Sequence, residues 1–332
     1  MARAQPSNQF YSKLGGSELG LFRTRIMAYN IGNENTANHN IEVLSGVLSS
    51  KKVRVKDYFP QLVQPDPEDL VVINVPWDII RTNFVELPPM KKEKDRLKLA
   101  ELEVRRMTGI TEDLNIGYIP SVSGKVLVLY STMADLIKFL NSSNITFEPD
   151  VAYPNILSEL LLVNKLPGYW AYLVLGKYTS GIVVMKGDTL LNLRIVDFPF
   201  EELNHIVQEE TGFSIFEIER SGNEDFIESA HKILGTISMD IASEIEREII
   251  ITINTTEIEK ISIDQLTGIA VISDSQVLTD TLISTERNQS IIQDKLSEPI
   301  FKLPIKKSYP LSQIGLLYRG GLELGKVKSI RW

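Results

Sequence analysis

Two Leu-Gly turns carry the residue types that could grip a phosphate: Lys13-Leu14-Gly15-Gly16-Ser17, and Val174-Leu175-Gly176-Lys177-Tyr178-Thr179-Ser180. Each leads into an extended stretch. Glycine lets the backbone come close to an anion, and successive N–H groups, hydroxyls and a lysine can then cradle it. The same residues also suit an ordinary hairpin turn that needs glycine for positive φ. Leu-Gly recurs at Leu19-Gly20, Leu234-Gly235 and Leu324-Gly325, so the dipeptide alone decides nothing and both readings stay open. No G-x-x-x-x-G-K-[ST] or G-x-G-x-x-G pattern accompanies them.

Other chemistries find less support. The three histidines, His39, His205 and His231, are far apart, and their only partners at helical spacing are acids such as Glu201 and Glu209. A Glu-rich surface helix produces that spacing by itself, so no metal site is expected. There is no cysteine, which excludes disulfides, thiolate metal sites and a thiol nucleophile. No G-x-S-x-G elbow marks a serine nucleophile. Asp240, Glu244, Glu246 and Glu248 crowd one helical stretch whose apolar positions are Ile233, Leu234, Ile237, Ile241 and Ile245. They read as the solvated face of a buried helix.

The elements that must hold these residues follow from periodicity. Gly20 to Tyr29 reads as extended, and the Asn-rich run 30–40 as a loop. Val43 to Tyr58 is expected to hold a short helix and a strand. Leu70 to Val75 is an apolar strand; Asp78 to Leu87 is a turn and a strand. Met90 to Met107 is an amphipathic helix with Leu97, Leu99, Leu102 and Val104 as its apolar positions. Its charged start, Lys91 to Arg96, is a solvated face or a docking patch. Strands at 125–131 and 145–148 and helices at 133–141 and 154–162 close the first half. Three strands at 170–175, 181–185 and 189–196 open the second. Helices at 200–210 and 224–248, a strand at 248–255, a strand–helix unit at 268–284, a strand at 300–303 and a helix at 311–320 complete it. Meanders alternating with helices in both halves indicate an α/β protein of two similar lobes.

With 332 residues, a domain pair is expected, and the net charge of −8 opposes nucleic-acid binding through phosphate neutralisation. Met1 to Asn8 lacks the apolar core of a secretory signal. The apolar runs at 71–75, 156–163 and 169–175 fall far short of the ~20 residues of a spanning helix. A cytoplasmic location is therefore expected.

Several stretches resemble the PilM family, the actin-like cytosolic components of type IV pilus assembly. Between Leu70 and Arg106 the sequence VVINVPWDIIRTNFVELPPMKKEKDRLKLAELEVRR resembles that family's strand, its "ielP" strand and the helix behind it. Lys125 to Leu162, with Phe147-Glu148-Pro149-Asp150-Val151, continues the likeness. Trp170 to Asp197 is similar to the second-lobe triple strand, Gly268 to Leu282 to the strand–loop–helix at the adenine end, and Ile314 to Gly320 to the last helix. GspL-type proteins of type II secretion share the ancestry.

The resemblance implies an α/β, actin-like (ribonuclease H-like) two-lobed fold with an inserted small α+β subdomain at about 69–142. The first lobe would span 9–165, the second 166–299, and residues 300–332 would return to the first. It further implies a nucleotide cleft between the lobes and a first-lobe groove for the short cytosolic tail of a bitopic inner-membrane protein. Contact with the assembly ATPase, homo-oligomerisation through the subdomain and a peripheral place at the inner membrane belong to the same analogy.

The departures from the family pattern fall on the nucleotide motifs. Actin-like ATPases carry an acidic D-x-G at each phosphate hairpin, whose carboxylates organise Mg²⁺. Here the two sites read Lys13-Leu14-Gly15 and Val174-Leu175-Gly176, and the adenine-side Gly-Gly reads Ser273-Asp274. The remnant cleft would comprise Lys13, Gly15, Gly16, Ser17, Gly176, Lys177, Thr179, Ser180, Ser273 and Asp274. No catalytic residue, metal or cofactor is expected, and the chain reads as a pseudo-ATPase scaffold. Metal-free ATP binding, with Lys13 as a substitute cation, is a minor variant. The alternatives are an active actin-like ATPase using a carboxylate from elsewhere, such as Asp197 or Asp274, and an unrelated α/β enzyme.

Overall fold

The computed structural model describes residues 24–32, 41–89, 92–256, 258–285, 290–305, 309–325, 327 and 329–331. In chain order its first strands are β1 (Arg25–Ile31), β2 (Ile41–Ser49), β3 (Lys52–Phe59), β4 (Leu70–Val75) and β5 (Arg81–Glu86). Helix α1 (Glu93–Thr108), β6 (Leu114–Pro120), β7 (Lys125–Thr132), α2 (Met133–Ser142), β8 (Val151–Pro154) and α3 (Asn155–Leu162) follow. Next come β9 (Tyr169–Leu175), β10 (Ser180–Lys186), β11 (Thr189–Val196), α4 (Phe200–Thr211), α5 (Ile215–Ser221) and α6 (Glu224–Asn254). The last are β12 (Leu266–Ser273), α7 (Gln276–Ser284), β13 (Leu296–Ser297), α8 (Leu311–Leu324) and β14 (Ser329–Arg331).

The chain divides into two units. One holds the residues up to Leu157, Asp188–Leu190 and those from Leu316 on; the other holds Ser158–Gly187 and Leu191–Gly315. Two of the passages between them lie inside α3 and α8, and two flank Asp188–Leu190; the sequence reading set its bounds at 165/166 and 299/300.

The first unit carries a sheet of order β14-β3-β2-β1-β4-β8, and the second a sheet of order β11-β10-β9-β12-β13. Leaving out β14, each reads third-second-first-fourth-fifth in its own strands. In each, the first two strands are antiparallel and the fourth runs parallel to the first. The parallel centre explains the composition. β4 is buried along its whole length, as a strand covered on both faces must be, so its sequence is almost uninterruptedly apolar. Its one polar residue, Asn74, is spent on β1: Asn74 Oδ1 accepts from Ile31 N at 2.7 Å, and Asn74 Nδ2 donates to Ile31 O at 2.8 Å.

The inserted subdomain is a separate antiparallel sheet, β5-β7-β6, backed by α1. Because β4 belongs to the six-stranded sheet, the inserted sheet begins at Arg81 and not at about 69. Ala100 and Val104 of α1 enter its core with Val85, Tyr118 and Val128, and Leu97 packs against them. That spacing of three and four residues is helical, but it is not the expected set, since Leu102 is 62% exposed.

Other differences have simple causes. Val43 to Tyr58 forms a strand pair without a helix; Ser50 and Lys51 both take positive φ (50° and 64°), the geometry of a two-residue hairpin turn. The strand expected at 248–255 is the end of α6. Ile249, Ile251 and Ile253 alternate, but Ile245, Ile249 and Ile253 also recur every four residues and are the buried ones. The strand expected at 145–148 lies instead at Val151–Pro154, while β6, α5 and β14 were not anticipated. In place of the strand expected at 300–303 there is a short strand at Leu296–Ser297, Phe301 making only an isolated bridge to Val163. No helix among the described residues is long and apolar enough to cross a membrane.

Helix α8 approaches the first sheet through glycine. A Cβ on Gly320 would lie 2.6 Å from Ile26 Cγ2 and 2.8 Å from Val72 Cγ2. Gly320→Ala should therefore destabilise the protein by about 1–3 kcal/mol through overpacking. Gly235 of α6 has open space around it, so Gly235→Ala should stabilise by about 0.5–1 kcal/mol. Urea unfolding that gave both substitutions the same sign would contradict this packing.

Candidate functional site

The residues nominated in the second half converge in the second unit. Gly176 ends β9 and opens the turn into β10. It is a glycine for lack of space: a Cβ there would fall 2.7 Å from Thr179 O and 2.8 Å from Glu159 Oε1. Gly176 is absent from the positive-φ glycines, so the torsional reason offered by the sequence does not apply. Ser180 Oγ donates back to Gly176 O at 3.4 Å, closing the turn.

Asp274 reaches this turn from the end of β12. Its Oδ2 accepts the backbone N–H of Lys177 at 3.1 Å, and its Oδ1 accepts that of Ser312, near the start of α8, at 3.3 Å. The carboxylate is 5% exposed as a residue and so joins two elements from the interior. Ser273 Oγ accepts from Ser275 N at 3.1 Å. The first turn of α7 is also occupied: Ser275 Oγ accepts from Leu278 N, and Glu219 Oε1 accepts from Val277 N at 2.8 Å and Ser275 Oγ at 2.7 Å. Lys177 Nζ stands over the Tyr178 ring at 5.1 Å and 4.0 Å from Glu201.

Glu159 of α3 completes the arrangement. It is fully buried, and both carboxyl oxygens lack a hydrogen-bond partner among the described residues. Burial, and then the Asp274 carboxylate beside it, push the Glu159 carboxyl well above the usual carboxylate range. A buried acid without a partner avoids charge by keeping its proton. Of the two acids, Asp274 has the backbone hydrogen bonds and Glu159 is the one shifted toward its neutral form.

A recess of about 110 Å³ opens beside Asp274, lined by Ser273, Gln276, Thr279, Phe301, Ile305 and Tyr309 among others. Typical small-molecule sites are larger, roughly 300–1,000 Å³.

Lys13, Gly15, Gly16 and Ser17 fall outside the described residues. Asp197 sits in a different recess with Phe198, Ile241 and Glu248. His205 pairs with Glu209 at 3.2 Å on an exposed face of α4, and His231 Nδ1 lies 2.9 Å from Thr281 Oγ1. The described residues contain no group of three or more potential metal-ligating His, Asp or Glu side chains. Glu159, Glu219 and Ser312 were missed. For Glu159 a signal existed: it is the lone acid in the apolar run Asn155 to Val163.

No family model and no curated protein matches the sequence. Among solved structures, a chain of a PilM–PilN type IV pilus biogenesis complex superposes with a TM-score of 0.57 at 12% identity, covering 90% of this chain and 99% of that one. Together with the duplicated strand order, this decides the class. The fold is actin-like. The cytoplasmic domain of EpsL, an inner-membrane component of the Vibrio cholerae type II secretion system, matches at TM-score 0.42 and 10% identity over 90% of this chain and 95% of its own. A Bacteroides thetaiotaomicron protein of actin-like ATPase fold matches at 0.27 and 12% over 60% and 82%. In this actin-like chain the second-unit hairpin turn carries no carboxylate of its own, and the acid that reaches its backbone comes from the end of β12.

Glu159 gives the site a pH signature. Its raised pKa means the folded state holds a proton that the unfolded chain releases, so stability falls as pH rises from the ordinary carboxylate range through the pKa of Glu159. Glu159→Gln should match the native protein near pH 4 and exceed it at higher pH, by about 1.4 kcal/mol per unit of pKa elevation. Denaturation midpoints that stayed parallel from pH 4 to 9 would exclude a buried neutral Glu159.

Proposed function

We propose that the protein is a cytoplasmic scaffold of a type IV pilus or type II secretion inner-membrane platform. In this reading it is a pseudo-ATPase that binds the short cytosolic tail of a bitopic membrane protein. The observation that carries the reading is Asp274: its carboxylate already accepts the Lys177 amide of the hairpin turn. A nucleotide phosphate brought to that amide would meet a negative charge. The matched PilM–PilN structure, over nearly its whole length, and the sequence resemblance support the choice of machine.

Affinity in this scaffold comes from docking, not hydrolysis. An extended tail laid in a groove or along a sheet edge gains backbone hydrogen bonds, and alternate side-chain pockets set its register. Attachment to the membrane is then indirect, through that partner.

A second reading, an active ATPase, draws on the same residue, since a carboxylate does reach the turn. Its oxygens, however, accept hydrogen bonds from two backbone amides, which leaves them poorly placed to organise Mg²⁺.

Calorimetric titration with ATP, with and without Mg²⁺, separates the two. Silence in both, with micromolar binding by one or more tail peptides from inner-membrane pilus or secretion proteins, is the expected outcome. Mg²⁺-dependent ATP binding with phosphate release lost in Asp274→Asn would establish the second reading instead. Failure of every tail peptide would count against the scaffold.

A further inference from the structure

We infer that Asp274 is a built-in ligand of a small oxyanion site, and that removing its side chain turns the site into one for a free oxyanion. The geometry of the carboxylate is that of a bound anion. Its two oxygens are received by N–H groups from segments remote from each other in sequence: Lys177 N of the β9–β10 turn at 3.1 Å and Ser312 N of α8 at 3.3 Å. Ser312 is the second residue of a 14-residue helix, where unpaired N–H groups and the helix dipole favour negative charge. A turn amide and a helix-start amide aimed at one point form an anion receptor regardless of which chain supplies the anion.

A second acid stands beside the site and is shifted toward its neutral form. Glu159 lies against the same turn, fully buried, with no hydrogen-bond partner for either oxygen among the described residues. Burial and the Asp274 carboxylate beside it shift Glu159 toward its neutral form. Nearby, the Lys177 ammonium lies over the Tyr178 ring and 4.0 Å from Glu201, and Glu219 is committed to Val277 N and Ser275 Oγ. The recess of about 110 Å³ has Asp274 in its wall, which gives a free ion a route to the amides once the side chain is gone.

This differs from a nucleotide site that has merely decayed. The receptor is intact and filled, and its filling staples the β9–β10 turn to α8. It concerns the second unit alone and holds whether or not the scaffold reading does.

Asp274→Gly tests it by chemical rescue, since it leaves a cavity shaped for acetate. Thermal melting at pH 7 would be followed in sodium acetate, sodium phosphate and, at matched ionic strength, sodium chloride. The variant should melt about 3–10 °C below the native protein in chloride, having lost two hydrogen bonds to a charged acceptor. Acetate or phosphate should return at least half of that loss, while the native protein melts alike in all three salts. An unshifted melting point in chloride, equal melting of the variant in all three salts, or an oxyanion-specific rise in the native protein would each overturn the inference. Should the glycine variant not fold, Asp274→Asn keeps the shape and removes the charge. Faster hydrogen exchange at the Lys177 and Ser312 amides than in the native protein supports the staple, and unchanged exchange at both refutes it.

Discussion

Gly315 and Ser158 set the geometry on which the second unit depends. A methyl group on Gly315 would lie 2.3 Å from the carbonyl oxygen of Ser158, so the backbones touch there with nothing between them. Ser158 Oγ adds a hydrogen bond to Ser312 O at 3.2 Å. That contact places the start of α8 beside the middle of α3, which puts Ser312 N within reach of Asp274 and leaves Glu159 without access to water. Close approach of this kind is available only to glycine, because any side chain would need the facing backbone to retreat.

The electrostatics follow from the packing. Two acids end in one interior with backbone amides for only one of them. Asp274 holds two N–H groups; Glu159 holds none among the described residues and is pushed toward its neutral form. Both residues are almost wholly buried, and burial together with the neighbouring Asp274 carboxylate is what shifts Glu159. The supply of amides also bears on nucleotide chemistry. Amides that could receive a phosphate are answered by the protein's own carboxylates at the β9–β10 turn and at the first turn of α7.

Much of the fold was legible from the chain. The almost wholly apolar β4, the triplet β9–β11 and the β12–α7 unit stood out because period and composition agreed there. Where they disagreed, the reading slipped. The isoleucines of α6 satisfy both a period of two and a period of four, and only burial of Ile245, Ile249 and Ile253 chooses between them. Leu102 looks like a core residue of α1 by type, yet the β5-β7-β6 sheet meets the face of Leu97, Ala100 and Val104.

The sequence by itself determined the most clearly patterned strands and helices, the two-lobed α/β class with its family resemblance, and the lack of an acid in the 174–180 stretch. These are local properties of residue type and spacing. Only the tertiary structure decided that Asp274, 97 residues from Lys177, is the acid that serves the hairpin turn, and that Glu159 stands beside it without a partner. Such pairings are set by which backbones can touch, and a close contact between two distant glycine- and serine-bearing segments leaves no periodic trace along the chain.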